Sequence, residues 1–318
     1  MSYLEEKKKE LEKILPPLTR GDDFDAFWAS TIAQAGKTPL GPKRIRIETP
    51  LTCASVYDVA YHGFDSTLIR GWLLLPAFLN LEKFPCVIHY HGFGENRGHP
   101  WDFGAWLLAG AAVLSVDCRD QSAETGNQSL YSGGQIKNIF SRGLLRKEEY
   151  YCRALYADAL RAIDFAQSCA EIDAERIALE GASQGGGLSM AVAALDPRPA
   201  FVMADVPSFS HLEKRVEHGY GVFSAVRDYL RIYPDRLEET LDTLSYFDTM
   251  NMADKIRCPV FASAGLRDDV CPAELYFATY NRICSEKEIA LYPFNKHEGG
   301  GALHTGKKLS FMKKRWRL

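Results

Sequence analysis

No stretch of this 318-residue chain approaches the roughly 20 consecutive apolar residues of a membrane-spanning helix. Residues 1–17 are rich in Glu and Lys and lack an apolar signal core, so the protein is expected to stay in the cytoplasm. There is no basic surplus: 38 Lys and Arg stand against 41 Asp and Glu, a net charge of −3. Phosphate backbones need concentrated positive charge, so nucleic acid is not an expected partner. The one basic cluster, Lys313-Lys314-Arg315-Trp316-Arg317, reads as the solvated face of a last helix. The eight cysteines include no Cys-x-x-Cys pair and no Cys/His cluster, so free thiols are expected and a metal is not. Repeats and low-complexity linkers are missing too. No cofactor is expected.

What is present is Gly181-Ala182-Ser183-Gln184-Gly185, a Gly-x-Ser-x-Gly pattern with fitting flanks. Residues 176–180 form a short apolar run that predicts a buried strand, and 186–195 are small and apolar, as in a helix packed closely on a sheet. A serine at such a strand-to-helix turn is held in a strained backbone conformation above the sheet. The glycines two before and two after it relieve the clash across the turn. The helix N-terminus beside it favours a developing oxyanion.

The rest of the chain supplies a sheet for that turn. Residues 56–61 and 68–75 read as an antiparallel pair; 86–90, 112–116, 201–206, 259–264 and 289–292 read as further strands. Helices are expected over 102–109, 148–169 and 274–283. Alternation of this kind implies a mostly parallel central sheet flanked by helices, with ligands at the carboxyl ends of the strands. Residues 1–50 read as an N-terminal helical extension, in which Leu4, Leu11 and Leu15 mark an amphipathic surface helix. Residues 208–256 read as a mostly helical segment inserted after the sixth strand, a cap or flank for the site. Residues 121–145, rich in Gly and Ser, read as a long loop over it. The apolar content, 46%, is ample for one large domain spanning 1–318.

A serine hydroxyl needs a base, usually histidine, and the imidazole needs a carboxylate to orient it. In the α/β-hydrolase order the acid and then the histidine follow the serine. Asp268 and Asp269 both follow the 259–264 strand, and spacing alone does not choose between them. His297 follows the 289–292 strand directly and is preferred over His304. One oxyanion donor is the backbone N–H of Gln184; the other is assigned to the N–H of Phe93, in the loop His91-Gly92-Phe93-Gly94, with His91 bracing that loop. Trp72, Trp101 and Trp106 read as core residues rather than sugar-stacking platforms.

These residues together are similar to the acetyl xylan esterase and cephalosporin-C deacetylase family, carbohydrate esterase family seven. The resemblance rests on Gly181-Ala182-Ser183-Gln184-Gly185-Gly186-Gly187, on Gly265-Leu266-Arg267-Asp268 followed by Cys271-Pro272, and on His297-Glu298. Leu244-Ser245-Tyr246-Phe247-Asp248 and Gly71-Trp72-Leu73-Leu74-Leu75-Pro76 extend it over nearly the whole chain. It implies an α/β-hydrolase fold and the catalytic set Ser183, Asp268 and His297, with the acid fixed on Asp268 by the Gly-Leu-x-Asp slot. It also implies release of acetyl groups from small sugars, xylo-oligosaccharides and cephalosporin C, and a cytoplasmic homohexamer. The alternatives are a broader carboxylesterase or peptidase-like hydrolase, or a non-catalytic scaffold. Where the family carries Arg-Gly-Gln, this chain has Arg119-Asp120-Gln121; Arg119 and Gln121 are expected to brace the site, and the added negative charge near it to change substrate preference. Gly299-Gly300-Gly301 is expected to loosen the histidine loop.

Overall fold

Alternate residues of the central strands serve opposite faces of one sheet. Val87, Val113 and Met203 join one apolar cluster, while their neighbours Cys86, Ile88, Ala112, Leu114, Val202 and Ala204 join the other. Both faces are covered, which is why these strands read as continuous apolar runs. The computed structural model describes residues 2–318. Nine strands are described: β1 (Lys43–Ile47), β2 (Ala54–His62), β3 (Leu68–Pro76), β4 (Phe84–Tyr90), β5 (Ala112–Val116), β6 (Ile172–Ala182), β7 (Phe201–Asp205), β8 (Val260–Gly265) and β9 (Lys287–Tyr292). Their order is β1-β2-β3-β5-β4-β6-β7-β8-β9. Pairing is antiparallel from β1 to β5 and parallel from β5 through β9. With a strand-to-helix serine turn after β6, this is the α/β-hydrolase fold.

The helices are α1 (Tyr3–Leu11), α2 (Phe24–Lys37), α3 (Gly104–Leu108), α4 (Tyr151–Ser168), α5 (Gln184–Leu195), α6 (Leu212–His218), α7 (Ser224–Ile232), α8 (Leu237–Ser245), α9 (Ala273–Tyr280) and α10 (Gly301–Trp316). The larger cluster gathers Trp28 of α2, Leu155 and Ile163 of α4, Leu188 of α5 and Phe277 of α9. The smaller one joins Trp106 and Leu107 of α3 to Met312 and Trp316 of α10. Helix α1 has no buried residue and opens on a Ser2–Glu5 capping box, as a surface helix should.

Two expectations need correction. The 1–50 segment is not helical throughout: β1 pairs with β2 at the sheet edge, so the inserted segment follows the seventh strand rather than the sixth. The 102–109 helix is shorter than expected; Pro100–Phe103 forms a 3-10 turn, and α3 begins only at Gly104. Proline favours that first turn because its missing N–H has no partner to lose there. The inserted segment contains α6, α7 and α8 joined by 3-10 turns.

Candidate active site

Strand β6 delivers Ser183 to the rim of the sheet and α5 begins immediately after it. Ser183 has φ 56° and ψ −117°, a strained conformation costing on the order of 1–3 kcal/mol. Three backbone bonds of 2.9 Å hold it: Ser183 N–H donates to the Asp205 carbonyl, and the Ser183 carbonyl accepts from the Gly187 and Ser208 amides. A Cβ at Gly185 would fall inside the carbonyl of Tyr90, so only glycine lets β4 and α5 approach this closely.

The structure brings Asp268 and His297 together. Asp268 Oδ2 lies 2.8 Å from His297 Nδ1, and Asp268 Oδ1 accepts from the amides of Val270 and Cys271, each at 2.8 Å. Burial alone would raise the pKa of this carboxyl; the His297 contact and the two amides outweigh it and hold it below the usual range. Asp269, the alternative acid, points into solvent. Ser183 Oγ makes no hydrogen bond to His297 among the described residues. Its hydrogen-bond partner among the described residues is Cys271 Sγ, at 4.0 Å. Cys271 was not singled out from the sequence as a site residue, although it lies inside the acid-bearing segment.

Two backbone amides here, those of Phe93 and Gln184, have no acceptor among the described residues. In the loop after β4, Gly92 N–H donates to Glu95 Oε2, Gly94 N–H to Gln121 Oε1 and Glu95 N–H to the Gly92 carbonyl. The Phe93 N–H between them has no acceptor among the described residues, and neither does the Gln184 N–H at the start of α5. The Phe93 ring rests on Phe140 at 5.5 Å, which places the 121–145 loop against the oxyanion loop.

His91 braces that loop as a neutral ring. Its Nε2 accepts from the Cys118 amide at 2.8 Å, so Nδ1 carries the proton donated to the Gly92 carbonyl at 2.7 Å. Burial pushes its pKa down to about 4. A histidine that must be neutral to fold contributes fully above the unfolded-state value of about 6.5, and its contribution falls as pH drops from there toward 4. On the order of 3 kcal/mol is at stake. Thermal unfolding from pH 7 to 4 should therefore show a smaller loss of Tm in His91→Asn than in the wild type. Equal losses would show that His91 does not carry this dependence.

Arg119 and Gln121 tie this framework together. The Arg119 guanidinium is fully buried; its Nε and Nη2 donate to Asp158 at 2.6 and 2.8 Å, and its Nη1 and Nη2 to Asp65 at 3.0 and 3.1 Å. Gln121 accepts from the Gly94 amide and donates to Gln184 Oε1 at 2.9 Å, which joins the oxyanion loop to the residue after the serine. Asp120 takes φ 55°, a left-handed conformation that aspartate tolerates. Its carboxylate pairs with Arg142 and accepts from Asn127 Nδ2. The added charge is therefore neutralised by the 121–145 loop rather than left facing the site.

The histidine loop is not loosened by its glycines. Gly300 has φ 96°, and the Tyr292 ring occupies the place a Cβ would take, so the run is a tight turn into α10. His304, the alternative base, is buried on α10; its Nδ1 lies 3.0 Å from the Tyr292 hydroxyl. Its Nε2 is 2.9 Å from Asp205 Oδ1 but is not aligned to hydrogen-bond it. One turn on, Lys308, 5% exposed, donates to Glu180 at 2.5 Å and Asp205 at 2.6 Å. Trp106 is a core residue, and half-buried Trp72 lies under the Arg97 guanidinium at 3.8 Å. Trp101 departs from expectation: it is 51% exposed and stacks on His99.

A family model described as acetyl xylan esterase (AXE1) matches residues 1–315. The chain belongs to the acetyl xylan esterase family. An acetyl xylan esterase from Paenibacillus sp. R4 superposes with TM-score 0.93 at 36% identity, over 96% of this chain and 98% of that one. Acetyl xylan esterase 1 from Thermoanaerobacterium sp. JW/SL YS485 gives 0.91 at 26%, over 97% and 98%. Acetyl esterase Axe7A from Xylanibacter ruminicola is 27% identical over 308 residues, 90% of this chain; the match spans 65% of that relative's length. Among the described residues no helix is long and apolar enough to cross a membrane, and no group of three or more His, Cys, Asp or Glu can hold a metal ion.

Proposed function

We propose that this family member is a serine esterase that removes O-acetyl groups from acetylated xylo-oligosaccharides or small sugars, and from cephalosporin C, through an acetyl-enzyme. The observation that carries the reading is the Asp268–His297 pair beside a strained elbow serine, with the Phe93 and Gln184 amides both free. Asp268 takes the proton-bearing Nδ1 of His297, which leaves Nε2 as the base. The Ser183 hydroxyl must leave Cys271 and turn toward that nitrogen, an adjustment common in sites without substrate. His297 then removes the Ser183 proton as Oγ attacks the acetyl carbon, and the two amides hold the negative oxygen. The imidazolium returns the proton to the departing sugar oxygen. Water, deprotonated by the same ring, attacks the acetyl-serine and releases acetate.

Arg119 and Gln121 act in this reading by fixing the loop that presents Phe93. By family resemblance the assembly is a cytoplasmic homohexamer, a reading that light scattering of the purified protein tests. Rates on acetate, butyrate and octanoate esters of p-nitrophenol should fall steeply as the acyl chain lengthens. A flat profile would favour a broader carboxylesterase. Comparing acetylated xylo-oligosaccharides with cephalosporin C identifies the preferred leaving group.

A further inference from the structure

Arg215, on α6 in the inserted segment, is 1% exposed. Its Nη1 donates to the Val270 carbonyl at 2.9 Å and contacts Cys271 Sγ at 3.7 Å; its Nε and Nη2 have no partner in the protein. The Phe223 ring, 5.8 Å from the guanidinium carbon, gives it partial compensation. A buried arginine is ordinarily paired with a carboxylate, and two acids in this region are committed elsewhere. Asp268 serves His297 and the Val270 and Cys271 amides. Asp248 accepts from the amides of His211, Leu212 and Met250. The Cys271 thiol is no counter-ion, because burial pushes its pKa up.

Cys271 Sγ thus contacts both the Arg215 guanidinium, at 3.7 Å, and the Ser183 hydroxyl, at 4.0 Å. A charge in low-dielectric surroundings acts across such a gap without touching the ligand. We propose that Arg215 is a specificity-determining residue that biases the site toward acetyl esters bearing a carboxylate, such as acetylated sugar acids. The inference rests on the esterase reading above and narrows its substrate class. Holding a buried guanidinium whose Nε and Nη2 have no hydrogen-bond partner costs stability, so the arrangement is explained if a negatively charged substrate supplies the complement.

The test uses two acetyl esters that differ in one charge, 4-acetoxybenzoate and methyl 4-acetoxybenzoate, each rate being normalised to its hydroxide-catalysed hydrolysis. Arg215→Met should lower the ratio of kcat/KM for the anionic over the neutral ester by about tenfold. Arg215→Lys should keep most of the ratio. The Met variant should melt at the wild-type temperature or above it, because an unpaired buried charge has been replaced by an apolar chain. If it aggregates, Arg215→Gln reports the same ratio. An unchanged ratio in these neutral variants, with or without a lower Tm, would reduce Arg215 to a brace on the acid loop and overturn the inference alone. Absence of Ser183-dependent turnover of the neutral ester would sink the esterase reading and the inference together.

Discussion

Ser183→Ala is expected to lower kcat for p-nitrophenyl acetate by roughly 10⁴-fold or more. The fold should survive. The backbone bonds that hold the elbow run through the Ser183 N–H and carbonyl, not its side chain. The hydroxyl's hydrogen-bond partner among the described residues is a thiol at 4.0 Å, so little stabilising contact is lost with it. Alanine must still adopt φ near 56°, with the same Cβ and about the same strain. The measurement is steady-state turnover beside a melting curve and labelling by a serine-reactive fluorophosphonate. Substantial residual turnover in a folded, unlabelled variant would remove Ser183 from the chemistry.

Asp268→Asn should cost about 10⁴-fold in kcat, and the local geometry says why. The asparagine oxygen would keep the Val270 and Cys271 amides, which need an acceptor. That puts the side-chain NH2 against His297 Nδ1, where Asp268 Oδ2 now sits. The ring would then accept at Nδ1 and carry its proton on Nε2, facing the serine with nothing to take a proton. Asp269→Asn, at an exposed position, should change kcat/KM by less than about twofold. Parallel kinetics on the two variants decide the matter: the opposite ranking would move the acid to Asp269.

Much of the site was legible in the sequence because its parts lie just past apolar strand runs. The elbow glycines, Asp268 and His297 each follow a strand whose apolar character betrays burial. Strand β1 was missed for the opposite reason. Lys43-Arg44-Ile45-Arg46-Ile47 is an edge strand with no fully buried residue, so its alternation looks like a polar linker. Trp101 misled because large aromatics are usually inside; here a proline-initiated turn carries it outward to His99. The glycine run after His297 suggested looseness, but crowding by Tyr292 makes glycine a steric necessity there. Asp120 was recognised as a departure, yet its partner Arg142 could not be named, since that pairing depends on how the 121–145 loop folds back. Arg215 gave no signal at all: nothing in composition or spacing marks a cation that will be buried with two of its nitrogens unpartnered.

Lys308 has a consequence for truncation of the chain. Glu180 and Asp205 flank the turn, and the ammonium that neutralises both is supplied more than a hundred positions after Asp205, by α10. Without that ammonium, burying both acids in the core costs stability, because a buried charge needs a partner. A polypeptide that stops short of residue 308 lacks the ammonium that joins these two acids.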